Sequence, residues 1–194
     1  TFDEELYGTG QNGFTEIFST YTGVNASNDI SEKEILENQH LMHGSGVALG
    51  DVNGDGLIDI YIPRIKEDNV LYINKGEWQF EDFTLVAGVA APNRYSNGSV
   101  FADVDGDRDL DLIVTALGGP NSLFINDGNG IFVEKKLESK LNNPGSTSSA
   151  LADVDNDGDL DLYITNYKRK AMRDSFPPPA ISFDNTLYKS PDGK

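Results

Sequence analysis

Three copies of one acidic segment, about 50 residues apart, constrain the fold of this chain more than any other feature. Each copy joins an Asp-rich turn to a run of apolar and β-branched residues, and a second apolar run follows it. The copies read GSGVALGDVNGDGLIDIYI from Gly44, GSVFADVDGDRDLDLIV from Gly98 and SSALADVDNDGDLDLYI from Ser148. The second apolar runs begin at Asn69, Asn121 and Asn185.

Each repeat is predicted to form four short β-strands. The runs LIDIYI, LDLIVT and LDLYIT are typical of strands that are covered on both faces, and NKGEW and NDGNG are typical of hairpin turns. A four-stranded unit of about 50 residues cannot bury both faces alone, so it stacks on its neighbours. We therefore expect an all-β chain of β-propeller blades, each a four-stranded antiparallel sheet. Three aligned copies disfavour the alternative, a β-sandwich with coincidental repetition.

We interpret residues 1–194 as a partial β-propeller of about three and a half repeats. The repeat units extend over approximately 12–77, 78–130 and 131–194, with insertions at 19–43 and 166–184. Propellers close with about four to eight blades, so we expect remaining blades or other chains to cover the open edges. The start at Thr1 rather than Met fits a processed or excised polypeptide.

The acidic turn that opens each repeat has the spacing of a cation-binding loop. Side-chain oxygens at positions 1, 3, 5 and 9, with a backbone carbonyl at position 7, suit Ca²⁺, whereas Mg²⁺ demands a stricter octahedron and Zn²⁺ prefers nitrogen or sulfur. The alternative is an Asp/Gly-rich turn without metal, but thirteen of the 32 acidic residues lie in these loops and would repel one another without a cation. The predicted ligands of the three calcium sites are Asp51, Asn53, Asp55, Leu57 and Asp59; Asp103, Asp105, Asp107, Asp109 and Asp111; and Asp153, Asp155, Asp157, Asp159 and Asp161.

Two positions distinguish these loops from better-known ones. An EF-hand needs Glu at position 12, where this chain has Ile62, Val114 or Ile164 within a strand-like run. Arg108 stands at the sixth position of the second loop, where we expect a positive φ that costs a residue other than glycine about 1 kcal/mol or more. The second loop is therefore predicted to be strained or reshaped.

The blocks DVNGDGLIDIYI, DVDGDRDLDLIV and DVDNDGDLDLYI, each followed by an N-x-LY/F-I-N-x-G-like turn, resemble FG-GAP/VCBS repeats. Those repeats are calcium-binding blades that also occur in integrin α-subunit propellers. The repeat spacing and the NYKRKAMRDSFPPP insertion most resemble the cartilage acidic protein/ASPIC-UnbV group. The resemblance covers nearly the whole chain. It implies a seven-bladed propeller, secretion or display at the cell surface, and calcium at the aspartates named above. The small number of repeats and Arg108, where the family usually has Gly, depart from its pattern.

The two insertions are the predicted recognition surfaces, because loops on a rigid scaffold often carry binding. In the first, Ser31 and Glu34 have capping-box spacing, which predicts a short helix from Glu32. His40 and His43 at its end either contact a metal or ligand or are incidental surface residues. The second insertion either binds an acidic glycan or protein or neutralises nearby carboxylates. Its basic residues are Lys168, Arg169, Lys170 and Arg173.

Composition narrows the function. The net charge of -17 argues against nucleic-acid binding, the absence of Cys removes disulfides and thiolate metal sites, and no apolar run is long enough to predict a membrane span. No constellation of catalytic residues is recognisable. We expect a secreted or cell-surface module that binds protein or polysaccharide and is not an enzyme. The alternatives are a polysaccharide lyase or hydrolase with catalytic residues elsewhere, and a structural subunit of an extracellular assembly.

Overall fold

The computed structural model describes residues 16–37, 41, 44–137, 141, 145–167 and 186–188. Within these ranges the strands form three antiparallel sheets, which confirms the predicted all-β fold. No helix in this part of the chain is long and apolar enough to cross a membrane. The helices are α1 (Ser19–Thr22), α2 (Glu32–Glu37) and α3 (Thr84–Ala87).

Each sheet is an antiparallel meander, because strands that follow one another in the chain lie side by side in the sheet. This is the arrangement of a propeller blade. The first two sheets have four strands, and the third has three among the described residues. Blade 1 comprises β1 (Ala48–Gly50), β2 (Asp59–Ile62), β3 (Val70–Asn74) and β4 (Phe80–Asp82); blade 2 comprises β5 (Ser96–Ala102), β6 (Asp111–Ala116), β7 (Ser122–Asn126) and β8 (Phe132–Lys135); blade 3 comprises β9 (Ser146–Ala152), β10 (Asp161–Asn166) and β11 (Thr186–Tyr188).

The turns predicted from NKGEW and NDGNG are hairpins that join β3 to β4 and β7 to β8. The Lys75 N–H donates to the Gln79 carbonyl at 2.7 Å, and the Asp127 N–H donates to the Ile131 carbonyl at 3.0 Å. The predicted unit limit at residue 77 lies inside the first hairpin. The three sheets begin at residues 48, 96 and 146, which preserves the repeat of about 50 residues.

Apolar side chains from blades 1 and 2 form one buried core. Strand β6 is buried along its whole length, as its continuous apolar run predicted for a strand covered on both faces. Tyr61 and Leu71 are partners in register on blade 1, and Leu112 and Phe124 are partners on blade 2. All four belong to the core, so the hydrophobic effect holds the two sheets together.

Glycine allows the first strands of adjacent blades, β1, β5 and β9, to approach one another closely. The Gly46 N–H donates to the Asn97 carbonyl at 2.6 Å, which links the segment before β1 to β5. A Cβ at Gly98 would lie 2.7 Å from Thr115 Oγ1 and 3.3 Å from the Thr147 carbonyl oxygen. Any side chain at residue 98 would therefore push blades 2 and 3 apart.

The first insertion is bonded to blade 1. The Tyr72 hydroxyl donates to Asn25 Oδ1 at 2.9 Å, and Arg64 Nε donates to the Ser27 carbonyl at 2.8 Å. Tyr72 alternates along β3 with Leu71, which faces the core shared with blade 2. The insertion thus covers part of the opposite face of blade 1.

The predicted capping box is confirmed at α2, which begins at Glu32. The Ser31 N–H and hydroxyl both donate to Glu34 Oε2, at 2.9 and 2.6 Å. Lys66 Nζ lies 2.9 Å from Glu34 Oε1. The hydrogen bond from Ser31, followed by that from Lys66, lowers the pKa of Glu34 to about 2.

Candidate metal centres

The three acidic loops occupy the same place in their sheets, because each joins the first strand of its blade to the second. The residue before position 1 is paired in register with the aspartate at position 9. The pairs are Gly50 with Asp59, Ala102 with Asp111, and Ala152 with Asp161. Identical register brings the first and ninth positions of every loop together at the mouth of a hairpin.

The aspartate at position 1 organises the loop backbone. Asp51 Oδ1 accepts hydrogen bonds from the N–H groups of Gly54 and Asp55 at 2.9 and 3.1 Å, and its Oδ2 accepts one from Gly56 at 2.8 Å. The other loops repeat the bond to the sixth residue, from Arg108 to Asp103 at 3.0 Å and from Gly158 to Asp153 at 3.1 Å. These bonds turn the chain back on itself around the carboxylate.

The aspartate at position 5 makes a shorter-range turn in each loop. One of its oxygens accepts the N–H of the residue at position 7, at 2.8, 2.9 and 3.1 Å in the three loops. This is an Asx-type turn, which aspartate favours because its carboxylate reaches the backbone two residues on. The pairs are Leu57 with Asp55, Asp109 with Asp107, and Asp159 with Asp157.

The aspartate at position 9 is buried in all three loops. Asp59 Oδ2 accepts the Val52 N–H at 2.9 Å, and Oδ1 accepts the Asn74 N–H at 2.8 Å. Asp111 is held in the same way by Val104 and Asn126, both at 2.9 Å. In blades 1 and 2 these carboxylates tie the loop to the end of the third strand.

Burial and neighbouring charge raise the pKa of several of these carboxyl groups. Loss of contact with water raises the pKa of Asp59 and Asp111, although backbone N–H donors oppose the change. Desolvation also raises the pKa of Asp105, and the charge of Asp107 adds to the effect. A cation in the loop would favour the ionised forms.

Carboxylate oxygens converge in the second and third loops. In each, one oxygen from positions 1, 3 and 9 lies within 4.8 Å of the others, and the ninth residue is the buried one. This donor set consists entirely of oxygen, which fits a hard cation. The converging residues are Asp103, Asp105 and Asp111 in the second loop, and Asp153, Asp155 and Asp161 in the third.

The first loop differs because its position 3 is Asn53. The amide Nδ2 of Asn53 donates to Asp55 Oδ2 at 3.0 Å, and its Oδ1 accepts the Asp55 N–H at 3.1 Å. The donors here are the amide oxygen of Asn53 and three carboxylates, from Asp51, Asp55 and Asp59, so the loop carries less negative charge than the other two. Calcium ligation by the full predicted set in each loop stays a prediction.

Position 6 of each loop has the left-handed backbone that the sequence predicted. The φ angle is 86° at Gly56, 78° at Arg108 and 94° at Gly158. Position 4 is also left-handed, with φ of 72° at Gly54 and 59° at Asn156. The prediction of a strained backbone at Arg108 is therefore confirmed, since it adopts a conformation that costs an L side chain free energy.

Asn74 and Asn126 belong to the same network, although the pattern of acidic residues did not identify them. Each ends the third strand of its blade and donates its N–H to the aspartate at position 9. The signal was present as the repeated final Asn of NVLYIN and NSLFIN. The basic residues proposed for partner binding and the two histidines fall in segments outside the described ranges. They are Lys168, Arg169, Lys170, Arg173, His40 and His43.

Repeated antiparallel sheets, in each of which an acidic loop joins the first two strands, define this chain as a β-propeller repeat protein. The chain belongs to the family of FG-GAP-like repeats, which matches residues 51–114 and 103–164. Over 82 residues it is 29% identical to cartilage acidic protein 1 of Xenopus tropicalis. That match covers 42% of this chain and 13% of the relative.

Proposed function

We propose that this chain is a calcium-binding extracellular interaction module in which calcium is structural. The observation that carries the proposal is the convergence of three carboxylates within 4.8 Å in the second and third loops. Membership of the FG-GAP-like family supports the same function. Calcium is favoured over zinc because the converging donors are all oxygens, and over magnesium because the spacing offers five protein ligands rather than a strict octahedron that keeps its waters.

The structural role follows from where the ligands lie. Asp111 and Asp161 begin the second strands of their blades, β6 and β10. Asp103 and Asp153 directly follow the first strands, β5 and β9. A cation bound between them would hold the two ends of the hairpin together and neutralise the loop. A ligand that binds only the folded state at about a hundredfold excess over its Kd contributes about 2.7 kcal/mol of stability.

The module is proposed to bind protein or polysaccharide and to have no catalytic activity of its own. The sequence of the second insertion places four basic residues between Lys168 and Arg173 on a chain of net charge -17, a composition that suits an acidic glycan or protein as partner. Further blades or other chains would cover the exposed sheet faces, such as that of Leu49, which is 60% exposed on β1.

Isothermal titration calorimetry with CaCl₂ on metal-free protein tests the calcium sites. Asp105→Asn replaces one converging carboxylate at an exposed position with an amide, as Asn53 has in the first loop, and should weaken binding at the second loop. Glu77→Gln is the matched control, because it removes the same charge from an exposed hairpin turn in blade 1. Calcium binding with unchanged affinity at every site in Asp105→Asn, or no heat of binding in the unaltered chain, would contradict the proposal.

A further inference from the structure

Asn126 is a buried residue, 4% exposed, at the end of β7. Its backbone N–H donates to Asp111 Oδ1 at 2.9 Å. Its side-chain Oδ1 accepts the N–H groups of Gly128 and Gly130 at 3.2 and 3.1 Å, which holds the β7–β8 hairpin. The residue therefore fixes both the second acidic loop and the neighbouring turn.

The Nδ2 group of Asn126 connects the two blades. It donates to the Leu110 carbonyl of its own loop at 3.1 Å and to the Val52 carbonyl of the first loop at 2.8 Å. Val52 is itself buried, and its N–H donates to Asp59 Oδ2. The backbone of one residue in the first loop, Val52, is thus held on its N–H side by the ninth residue of that loop and on its carbonyl side by a side chain from blade 2.

These bonds form a continuous path between the two buried aspartates. Asp59 accepts from the Val52 N–H, the Val52 carbonyl accepts from Asn126, and the Asn126 N–H donates to Asp111. Every member is buried, so water does not readily replace a broken bond. A displacement of either aspartate would therefore strain the bonds that hold the other loop.

Asn74 occupies the equivalent position in blade 1 and provides a natural comparison. Its N–H donates to Asp59 Oδ1 at 2.8 Å, its Nδ2 donates to the Ile58 carbonyl at 2.9 Å, and its Oδ1 accepts the Gly76 N–H at 2.9 Å. Within the described residues these bonds all stay in blade 1. Asn74 therefore has the local role of Asn126 without the contact between blades.

We propose that Asn126 couples the first and second loops, so that a cation in one raises the affinity of the other. The inference rests on the proposed calcium-binding function. Coupling of this kind is reciprocal and typically amounts to about 5- to 150-fold in affinity. Asn126 acts by positioning Val52 and Asp111 and is not itself a metal ligand.

The test reads the affinity of each loop separately by NMR during titration with CaCl₂. The amide signals of Gly54 and Gly56 report the first loop, and that of Gly106 reports the second. Asp105→Asn, which weakens calcium binding at the second loop, should also weaken it at the first loop, about fivefold or more at calcium concentrations that leave the second loop empty. The same loss should occur in an Asn74→Ala background and should disappear in an Asn126→Ala background.

A second measurement needs no change at Asn126 and stays valid if Asn126→Ala does not fold. In an Asp55→Asn chain, whose first loop is weakened, calcium in the second loop should shift the side-chain amide signals of Asn126 and the Val52 amide signal. Unmoved signals would overturn the coupling. So would an equal effect of Asp105→Asn in the Asn126→Ala and Asn74→Ala backgrounds. No response of any loop glycine in the unaltered chain would instead overturn calcium binding, and the coupling with it.

Discussion

Tyr61 of blade 1 meets Phe101 of blade 2 edge to face, with ring centroids 6.3 Å apart and ring planes at 70°. This geometry is favourable for aromatic pairs beyond the area that they bury. The Tyr61 hydroxyl donates to the Val89 carbonyl at 2.9 Å and accepts from Asn69 Nδ2 at 2.7 Å. The Tyr61 side chain thus packs between two blades and forms hydrogen bonds with the segments before β3 and after α3.

Replacing Tyr61 with Phe should destabilise the chain although the ring contact remains. The substitution leaves the Val89 carbonyl and the Asn69 amide without their buried partner, which costs about 1–3 kcal/mol. Urea denaturation of both proteins measures the difference. Tyr163→Phe on the half-buried part of β10 is the control and should change stability by less. Equal stability of Tyr61→Phe and the unaltered chain would contradict the role assigned to the hydroxyl.

Tyr61 should also make stability depend on alkaline pH. Burial raises the pKa of this phenol above its ordinary value of 10.0. Above about pH 10, the phenol therefore keeps its proton in the folded state and loses it in the unfolded state. The contribution of Tyr61 to the free energy of unfolding is complete below about pH 10 and declines as the pH rises further. Denaturation curves at pH 8 and above pH 10 should diverge more in the unaltered chain than in Tyr61→Phe. Parallel pH dependence in both would contradict this.

Ser31→Ala should raise the pKa of Glu34 from about 2 towards its model-peptide value of 4.5. The lowered pKa of Glu34 stabilises the folded state at pH values above the pKa in the unfolded state. This contribution is lost as the pH falls through the pKa in the folded state. NMR titration of the Glu34 side chain measures the change. Lys66→Ala should raise the pKa less, since the hydrogen bond from Ser31 is the larger cause. A larger effect from Lys66→Ala would contradict the capping-box account.

Arg108→Gly should stabilise the metal-free chain by about 1 kcal/mol, because glycine adopts a φ of 78° without the steric cost of a Cβ. Asn156→Gly in the third loop is the matched change and should gain less, since Asn tolerates the left-handed region. Chemical denaturation in EDTA measures both. A loss of stability in Arg108→Gly would contradict this prediction. It would mean that the arginine side chain stabilises the folded loop by more than the left-handed backbone destabilises it.

Gly98→Ala should destabilise the contact between blades 2 and 3 by about 1–3 kcal/mol, as overpacking does. The added Cβ would lie 3.3 Å from the backbone oxygen of Thr147 and 2.7 Å from Thr115 Oγ1. Gly46→Ala is the control, because its nearest neighbour would be an ordinary 3.5 Å away. Similar stability of the two variants would contradict the close approach inferred at Gly98.

Features specified within a few residues were predictable from the sequence. The spacing of the acidic loops, the hairpins after β3 and β7, the left-handed φ at Arg108 and the capping box at Ser31 all depend on neighbours along the chain. The bond from Asn126 to Val52 joins residues 74 apart, and that from Tyr72 to Asn25 joins residues 47 apart. No local pattern predicts such partners, so the link between loops and the packing of the first insertion emerged only from the fold.

Differential scanning calorimetry of the metal-free and calcium-loaded chain tests the central claim most directly. About 2.7 kcal/mol per site at a hundredfold excess of calcium, at about 2–4 °C per kcal/mol for a chain of this size, predicts a rise of roughly 5–10 °C in Tm for each filled site. Asp105→Asn should lose part of that rise, and Glu77→Gln should retain all of it. A Tm that is the same in calcium and in EDTA would contradict a structural role for the metal.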